Sequence, residues 1–237
     1  MTKESFYNSL KNLNIEVTQN LYERFEIYYE NLVSYNEKVN LTAITEKNDV
    51  FIKHFLDSVS LLSVCNIKKN SGVIDIGTGA GFPGIPLKIV RDDINLTLVD
   101  SLAKRVVFLN QMVELLNLKN TVALHSRAED LSNKEDFRQQ YDYSVSRAVA
   151  NMPVLLEYVS PFVKVGGQII LLKGSKTKEE IESSKNAIKV LGLKLEKVDK
   201  IELFDKVNEH YIVTFSKIKD TAKKYPRNSA QIKKNQL

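Results

Sequence analysis

Cysteine and histidine are scarce in this sequence. Its 237 residues include one cysteine, Cys65, and three histidines, His54, His125 and His210. A single cysteine excludes a disulfide within one chain, and the histidines are too widely spaced to predict a metal site. We therefore expect a protein of a reducing compartment that carries no structural metal, with Cys65 serving as a small buried apolar residue.

Long apolar runs are also absent. The first ten residues, MTKESFYNSL, lack the basic-then-apolar pattern of a secretion signal, and no apolar stretch approaches the ~20 residues that cross a bilayer. With 237 residues, 43% of them hydrophobic, the chain can build one sizeable core. The sequence predicts one main domain with an appendage, in a cytoplasmic protein with no membrane partner.

Acidic residues are rare at the C-terminal end. From Lys217 onward the chain has seven Lys and Arg and one acidic residue, Asp220, so this end carries a charge of +6 while residues 1–216 carry −1. Clustered basic residues bind polyanions by neutralising phosphates, which favours a nucleic-acid partner. The same composition is also typical of a solvated, disordered terminus.

The order of apolar patterns predicts an α/β fold. Apolar residues recur at helical spacing through the first 65 residues, and after Gly72 short β-branched runs alternate with amphipathic stretches. We predict strands at residues 73–76, 96–99, 122–124, 143–145 and 168–172, and helices at residues 85–90, 104–116 and 154–159. Such alternation indicates a parallel sheet with helices on both faces.

The last part of the pattern differs. Two strand-like runs, at residues 193–203 and 211–215, are separated by a turn signal around residues 205–208 rather than by a helix. We interpret them as an antiparallel hairpin at the edge of the sheet. The chain is thus divided into an N-terminal helical segment packed on the core (residues 1–65), an α/β domain (residues 66–218) and a basic tail (residues 219–237).

A glycine-rich run, DIGTGAGFPG, occupies residues 75–84 after the apolar pair Val73-Ile74. Between a strand and a helix, glycines let the backbone turn sharply and approach a ligand closely. The dinucleotide fingerprint needs a third glycine where Phe82 stands, and a phosphate-binding loop needs Gly-Lys-Ser/Thr at its end. Neither motif is met.

Two acidic residues accompany this run. Asp75 begins it, and Asp100 ends the next predicted strand, LTLVD, where a carboxylate accepts hydrogen bonds from ribose hydroxyls. The pair resembles the first two motifs of class I S-adenosylmethionine (SAM) methyltransferases. As an alternative, Asp75 is a loop acid and Asp100 caps the helix that follows Ser101.

The sequence around the fourth predicted strand contains no obvious catalytic base. Enzymes that methylate exocyclic amines carry Asp/Asn-Pro-Pro-Tyr/Phe there, whereas this chain reads YDYSVSRAVANMP, and pyrimidine C5 enzymes need a cysteine beside a proline, whereas Cys65 precedes Asn66. An acceptor with a free lone pair, such as guanine N7, can attack a sulfonium methyl without losing a proton first. Alignment and desolvation then carry catalysis.

Several segments together are similar to those of one family. NLTAI, KHFLDS, DIGTGAGFPGIPL, LVDSLAKRVVFL, SRAED, SRAVA and KKYPR resemble the RsmG family, formerly the glucose-inhibited division protein B family. The resemblance implies a class I SAM-methyltransferase Rossmann-like fold, with a mostly parallel seven-stranded sheet and an antiparallel edge strand. It also implies methylation of guanine N7 in the decoding-region loop of 16S rRNA, by a monomer whose partner is the small ribosomal subunit.

The motifs and the resemblance together imply a set of site residues. Contacts to the cofactor, S-adenosyl-L-methionine, are expected at Asp75, Gly77, Gly79, Gly81, Phe82, Asp100, Ala128, Glu129 and Arg147. No general base is needed, and Arg147 either orients the guanine or the donor, or pairs structurally with Asp75 or Glu129. RNA contacts are expected at Lys53 and His54 on a helical lid, and at Lys223, Lys224 and Arg227 in the tail.

Three other functions stay open. A methyltransferase acting on a small molecule shares every motif but does not account for the basic tail. A dinucleotide-dependent dehydrogenase is disfavoured by Phe82 at the third glycine position. An RNA-binding protein with a vestigial cofactor fold is disfavoured by the intact glycine run.

Overall fold

The computed structural model describes residues 1–202 and 209–237. Its centre is a seven-stranded sheet in the order β3-β2-β1-β4-β5-β7-β6. The strands are β1 Gly72–Ile76, β2 Asn95–Asp100, β3 Thr121–His125, β4 Tyr141–Arg147, β5 Val163–Lys173, β6 Leu193–Ile201 and β7 His210–Lys217.

Eleven α-helices are found in the described part of the chain: α1 Lys3–Asn12, α2 Leu21–Asn36, α3 Lys47–Val50, α4 Asp57–Ser60, α5 Gly84–Val90, α6 Ala103–Leu115, α7 Ala128–Leu131, α8 Met152–Val159, α9 Thr177–Ser183, α10 Lys185–Val190 and α11 Ser229–Lys234. A π-helix at Phe51–Leu56 joins α3 to α4. The short helices α9 to α11 were not expected from the sequence pattern.

The predicted α/β order is confirmed. Strands β1 to β5 pair in parallel, and β7 runs antiparallel to both β5 and β6. The antiparallel hairpin at the sheet edge is therefore present, with β7 inserted beside β5 and β6 taking the outermost position. The predicted turn at residues 205–208 lies outside the described residues.

The two faces of the sheet carry separate cores. Alternate residues of a strand point to opposite faces, so Val73 packs with the N-terminal helices and α6, while Ile74 packs with α8 and α10. Residues 1–65 thus share one core with the sheet. The boundaries assigned to the three segments remain a prediction.

An aromatic cluster fixes the N-terminal helices over the glycine-rich loop. Phe25 and Phe55 have ring centroids 5.0 Å apart, and Tyr28 stacks on Phe55 at 5.1 Å. The buried hydroxyl of Tyr28 donates a hydrogen bond to the carbonyl of Ala80, 2.5 Å away. The helical segment is therefore bonded directly to the loop that follows β1.

The basic tail packs on the domain. Arg138 donates hydrogen bonds to the carbonyls of Thr221, Ala222 and Tyr225, and Ile232 in α11 is fully buried. The alternative of a solvated, disordered terminus, which the composition left open, is therefore wrong. Buried contacts that the charge count did not reveal hold this segment in place.

Candidate active site

The loop between β1 and α5 needs glycine at defined positions. Gly77, Gly79 and Gly81 have φ values of 70°, 62° and 102°, which L-residues with side chains rarely adopt. A Cβ on Gly77 would lie 2.6 Å from Cγ2 of Val149, and one on Gly81 would lie 2.7 Å from the Tyr28 hydroxyl. The loop thus passes close to the segment after β4 on one side and to α2 on the other.

Asp75 lies beneath this loop. Its side chain is fully buried, and Oδ2 accepts hydrogen bonds from the Thr78 hydroxyl at 2.6 Å and the Gly84 amide at 2.8 Å. Burial raises the pKa of Asp75 to about 7, although these two hydrogen bonds favour the charged form. Oδ1 has no hydrogen-bond partner among residues 1–202 and 209–237. Asp75 therefore supports the loop from below.

A small cavity of about 300 Å³ opens at the carboxyl ends of β1 and β2. Its lining includes Gly77, Asp100, Ala128 and Glu129, which the sequence predicted as cofactor contacts. The carboxyl ends of neighbouring parallel strands meet at one edge of the sheet, and ligands of open α/β sheets bind there. The structure therefore brings these four predicted residues together.

Asp100 connects the walls of the small cavity. Oδ2 accepts a hydrogen bond from the Gly79 amide and Oδ1 accepts one from the Leu102 amide, both at 2.9 Å. Arg105 Nη1 also lies 3.5 Å from Oδ2, whereas Oδ1 has a further lone pair. The side chain can therefore fix the glycine-rich loop and still accept a hydrogen bond from a hydroxyl.

A large cavity of about 800 Å³ lies next to the small one. Val149, in the segment after β4, lines both cavities. Lys53 and His54 from the π-helix and Arg147 from the end of β4 contribute to the large cavity. The predicted RNA-binding residues Lys53 and His54 therefore lie across Val149 from the small cavity. Arg147, which was predicted as a cofactor contact, lies with them and not among the lining residues of the small cavity.

Arg147 is held in place from several sides. Nη1 donates hydrogen bonds to the Lys53 carbonyl at 2.8 Å and to Asp57 Oδ2 at 2.7 Å, and Nη2 lies 3.1 Å from His54 Nδ1. The guanidinium carbon is 4.8 Å from the centroid of the Phe82 ring. The ion-pair partner of Arg147 is Asp57, so the structural alternative of a pair with Asp75 or Glu129 is wrong.

Asp57 is a weak base despite its burial. Burial alone would raise its pKa, but the hydrogen bond from His210 at 3.0 Å and the adjacent charge of Arg147 hold the pKa below the ordinary value. The carboxylate thus stays ionised between two partners and orients Arg147.

His54 is uncharged at neutral pH. Burial and the charge of Arg147 lower its pKa to about 4. The ring lies 4.6 Å from that of Phe82, between centroids, and Nε2 is 2.8 Å from the Thr42 hydroxyl. His54 therefore gives the large cavity a neutral aromatic wall and no positive charge.

The other predicted residues occupy varied positions. Phe82 is buried against Tyr28 and Phe55 and so shapes the glycine-rich loop from inside the core. Lys223 and Lys224 are exposed on the tail. Arg227 donates through Nε and Nη2 to the carboxylate of Glu157, at 2.9 and 2.7 Å, and its role there is to anchor the tail.

Some residues of the site were not expected from the sequence. Asp57 follows Lys53 by four positions within KHFLDS, a spacing that places both on one helix face. That signal was available, but the partner Arg147 is distant in sequence. His210, and Ser229 and Lys233 of the tail, gave no local signal because the packing of the chain ends brings them to the cavities.

Cys65 is partly buried against the core, and its Sγ is 3.5 Å from the Thr214 hydroxyl. Burial raises the pKa of its thiol. Over residues 1–202 and 209–237 we find no group of three His, Cys, Asp or Glu side chains able to hold a metal ion. Within the same ranges no helix has the length and apolar character required to cross a bilayer.

Comparisons with known proteins agree with this geometry. The family model GidB, described as rRNA small subunit methyltransferase G, matches residues 21–209. The chain is 47% identical to the ribosomal RNA small subunit methyltransferase G of Clostridium botulinum (strain Loch Maree), over 97% of this chain and 96% of the relative. It is 46% identical to that of Clostridium perfringens (strain 13), over 94% and 93%.

Solved structures show the same fold at lower identity. A SAM-dependent methyltransferase from Aquifex aeolicus superposes with a TM-score of 0.56 and 19% identity. The match covers 78% of this chain and 98% of that one. This likeness supports the arrangement of sheet and helices.

Proposed function

Since this chain belongs to the GidB family of rRNA small subunit methyltransferases, we propose that it methylates guanine N7 in the decoding-region loop of 16S rRNA. Family membership makes the chain a SAM-dependent rRNA methyltransferase. The acceptor atom and its position in the RNA are the proposed part.

The residues of the small cavity suit the donor. Gly77 leaves room for a close approach to the backbone, since any side chain there would overlap Val149. Asp100 can accept hydrogen bonds from ribose hydroxyls. Ala128 and Glu129 lie where a backbone amide and a side-chain carboxylate can bond to an adenine. We assign these four residues to donor binding, with Asp75, Gly79, Gly81 and Phe82 shaping the loop.

The engagement of the titratable side chains among the described residues of the large cavity carries the choice of acceptor: Asp57 lies between Arg147 and His210, and Glu209 pairs with Lys200. The lowered pKa values of Asp57 and His54 make both poor proton acceptors at neutral pH. The Glu180 carboxylate accepts a hydrogen bond from the Met152 amide at 2.8 Å and forms an ion pair with Lys173 at 2.6 Å, so it too is engaged. An acceptor nitrogen that already has a lone pair fits such a site better than an amine that must lose a proton.

When bound, SAM supplies an electrophilic methyl group: guanine N7 forms the new N–C bond, the C–S bond breaks with its electron pair going to sulfur, and the positive charge moves to the base. Val149 lines both cavities, so the two reactants meet at this residue. The chain contributes alignment and exclusion of water, and well-oriented approach can supply roughly 7–11 kcal/mol of a barrier.

Arg147 is assigned to orient the guanine or the donor carboxylate. A guanidinium has five N–H donors, and the three contacts to Lys53, Asp57 and His54 leave others for a ligand. Because Asp57 compensates its charge, Arg147 can be held at the cavity without an unpaired buried charge.

We further propose that the partner is the small ribosomal subunit and that the enzyme works as a cytoplasmic monomer. The proposed phosphate contacts are Lys53 at the large cavity and Lys223 and Lys224 on the tail. His54 is proposed to contact RNA as a neutral ring, and Arg227 to contribute by shaping the tail.

The test is a comparison of rRNA from cells with and without the gene. Mass spectrometry of 16S rRNA fragments should show one N7-methylguanosine in the decoding-region loop that is missing from the deletion strain and restored by the wild-type gene. An identical methylguanosine content in both strains would contradict the proposed substrate and favour a small-molecule acceptor.

A further inference from the structure

The end of the chain contributes a wall to the small cavity. We call residues 225–236 the C-terminal strap. Ser229 and Lys233, both in α11, line the small cavity together with Asp100 and Glu129. Neither residue belongs to the glycine-rich run or to the acidic motifs that predicted the site.

The strap is anchored beside the small cavity. The Arg227 amide, Nε and Nη2 donate to the Glu157 carboxylate at 2.8, 2.9 and 2.7 Å, and Glu157 is fully buried in α8. Further along, Ile232 is fully buried. Asn228 caps α11, because its side-chain oxygen accepts a hydrogen bond from the Gln231 amide at 2.9 Å. These contacts fix which face of α11 meets the cavity.

The far end of the strap is bonded to a residue that lines the large cavity. Asn151 donates a hydrogen bond from Nδ2 to Oε1 of Gln236 at 2.9 Å, and Asn151 lines the large cavity. The strap therefore runs from α8, along the small cavity, to the segment that carries Val149.

Charge in the small cavity favours a ligand-facing role for Lys233. Asp100 and Glu129 place two carboxylates there, and Lys233 adds a cation from α11 to that of Arg127. The Ser229 hydroxyl adds a donor and acceptor. Polar groups of both kinds around an aromatic-sized space suit a neutral nucleoside.

We propose that the C-terminal strap is part of the donor site, with Ser229 and Lys233 contacting the adenosine half of the donor and retaining it. This rests on the assignment of the small cavity to SAM under the proposed function. The tail then has two parts: Lys223 and Lys224 remain exposed for RNA, while the strap closes the cofactor site.

The test uses the full-length protein and calorimetry with S-adenosylhomocysteine, the donor without its methyl group. Lys233→Met should raise the Kd roughly two- to fivefold, the range for one exposed charge. Lys234→Met is the matched control, because Lys234 is the exposed next residue outside the cavity lining, and its Kd should equal the wild-type value.

Two more variants separate the strap from the site. Ile232→Asp places a charge in a buried apolar position and should lift the strap, raising the Kd at least about tenfold while the protein stays folded. Asp100→Ala tests the small cavity itself and should also raise the Kd. A melting curve is recorded for each variant. Because Lys233 is exposed, Lys233→Met should stay folded, and it keeps the test decisive if Ile232→Asp unfolds.

Each outcome decides the proposal. A wild-type Kd for Lys233→Met and for folded Ile232→Asp, with a raised Kd for Asp100→Ala, overturns the role of the strap and leaves the donor site intact. A wild-type Kd for Asp100→Ala means that the donor binds elsewhere. The same variants are assayed for binding to 16S rRNA by filter binding. Weakened rRNA binding with an unchanged Kd for S-adenosylhomocysteine makes the strap an RNA contact and overturns the proposal as well.

Discussion

Replacing Gly77 by alanine should lower the free energy of unfolding by about 2–4 kcal/mol. The φ of 70° at Gly77 costs an L-residue with a side chain about 1–2 kcal/mol. The added Cβ would lie 2.6 Å from Cγ2 of Val149, and relieving such an overlap costs typically about 1–3 kcal/mol. Val149 is 37% exposed and lies in a loop, so it can yield and limit the second contribution to about 1–2 kcal/mol.

The contribution of Val149 can be isolated with a second substitution. Val149→Ala removes both Cγ atoms, and the remaining Cβ lies 3.4 Å from where a Cβ on residue 77 would stand, at the edge of ordinary contact. In this background Gly77→Ala should cost only the backbone strain, about 1–2 kcal/mol. The two substitutions should therefore couple by about 1 kcal/mol or more.

Urea unfolding of the four proteins of this cycle measures the coupling. Calorimetry with S-adenosylhomocysteine should show weakened binding for Gly77→Ala, because the loop must move away from Val149. If Gly77→Ala costs the same free energy with valine and with alanine at position 149, the close approach of these two segments does not limit the loop.

Other predictions concern buried charges. The folded pKa of Asp75, about 7, lies above its ordinary value of 3.8, so the folded state binds more protons between about pH 4 and 7 and loses stability as the pH rises. Relative to wild type, the free energy of unfolding of Asp75→Asn should therefore rise by at least about 1 kcal/mol when the pH goes from 5 to 8. Urea unfolding measures it, and an equal difference between the two proteins at both pH values refutes this. Arg147→Met should raise the pKa of His54 above about 4 in an NMR titration, since burial remains but the adjacent charge is removed; an unchanged pKa contradicts the contact. Arg227→Met should cost about 3–5 kcal/mol of unfolding free energy by leaving Glu157 buried without its cation, and adding Glu157→Gln should recover part of that loss; a double variant no more stable than the single one contradicts the pairing.

Much of the fold followed from local patterns. The β-branched runs and the helical spacings between them predicted the alternation of strands and helices and so a parallel sheet, because each pattern depends on neighbouring residues. A related reason places four residues in one site, namely Gly77, Asp100, Ala128 and Glu129. Asp100 ends a parallel strand and the others follow one, and those strand ends share one edge of the sheet.

The partners of charged residues could not be predicted in this way. Arg147 meets Asp57 because the helical stretch around the π-helix packs over the end of β4, and nothing near either residue encodes that crossing. The tail gives a second example. Its charge indicated RNA binding or disorder, whereas the buried Glu157 in α8 captures Arg227 and brings Ser229 and Lys233 to the small cavity.

Methyl transfer by the purified protein tests the central claim most directly. Small ribosomal subunits from a strain lacking the gene, incubated with methyl-labelled SAM, should gain label at N7 of one guanine in the decoding-region loop, as read by nucleoside mass spectrometry and fragment mapping. Asp100→Ala and Arg147→Met should each reduce the transfer. Label on another atom of the RNA would contradict base-free transfer to guanine N7. The same holds if subunits and rRNA gain no label while a small-molecule acceptor is methylated.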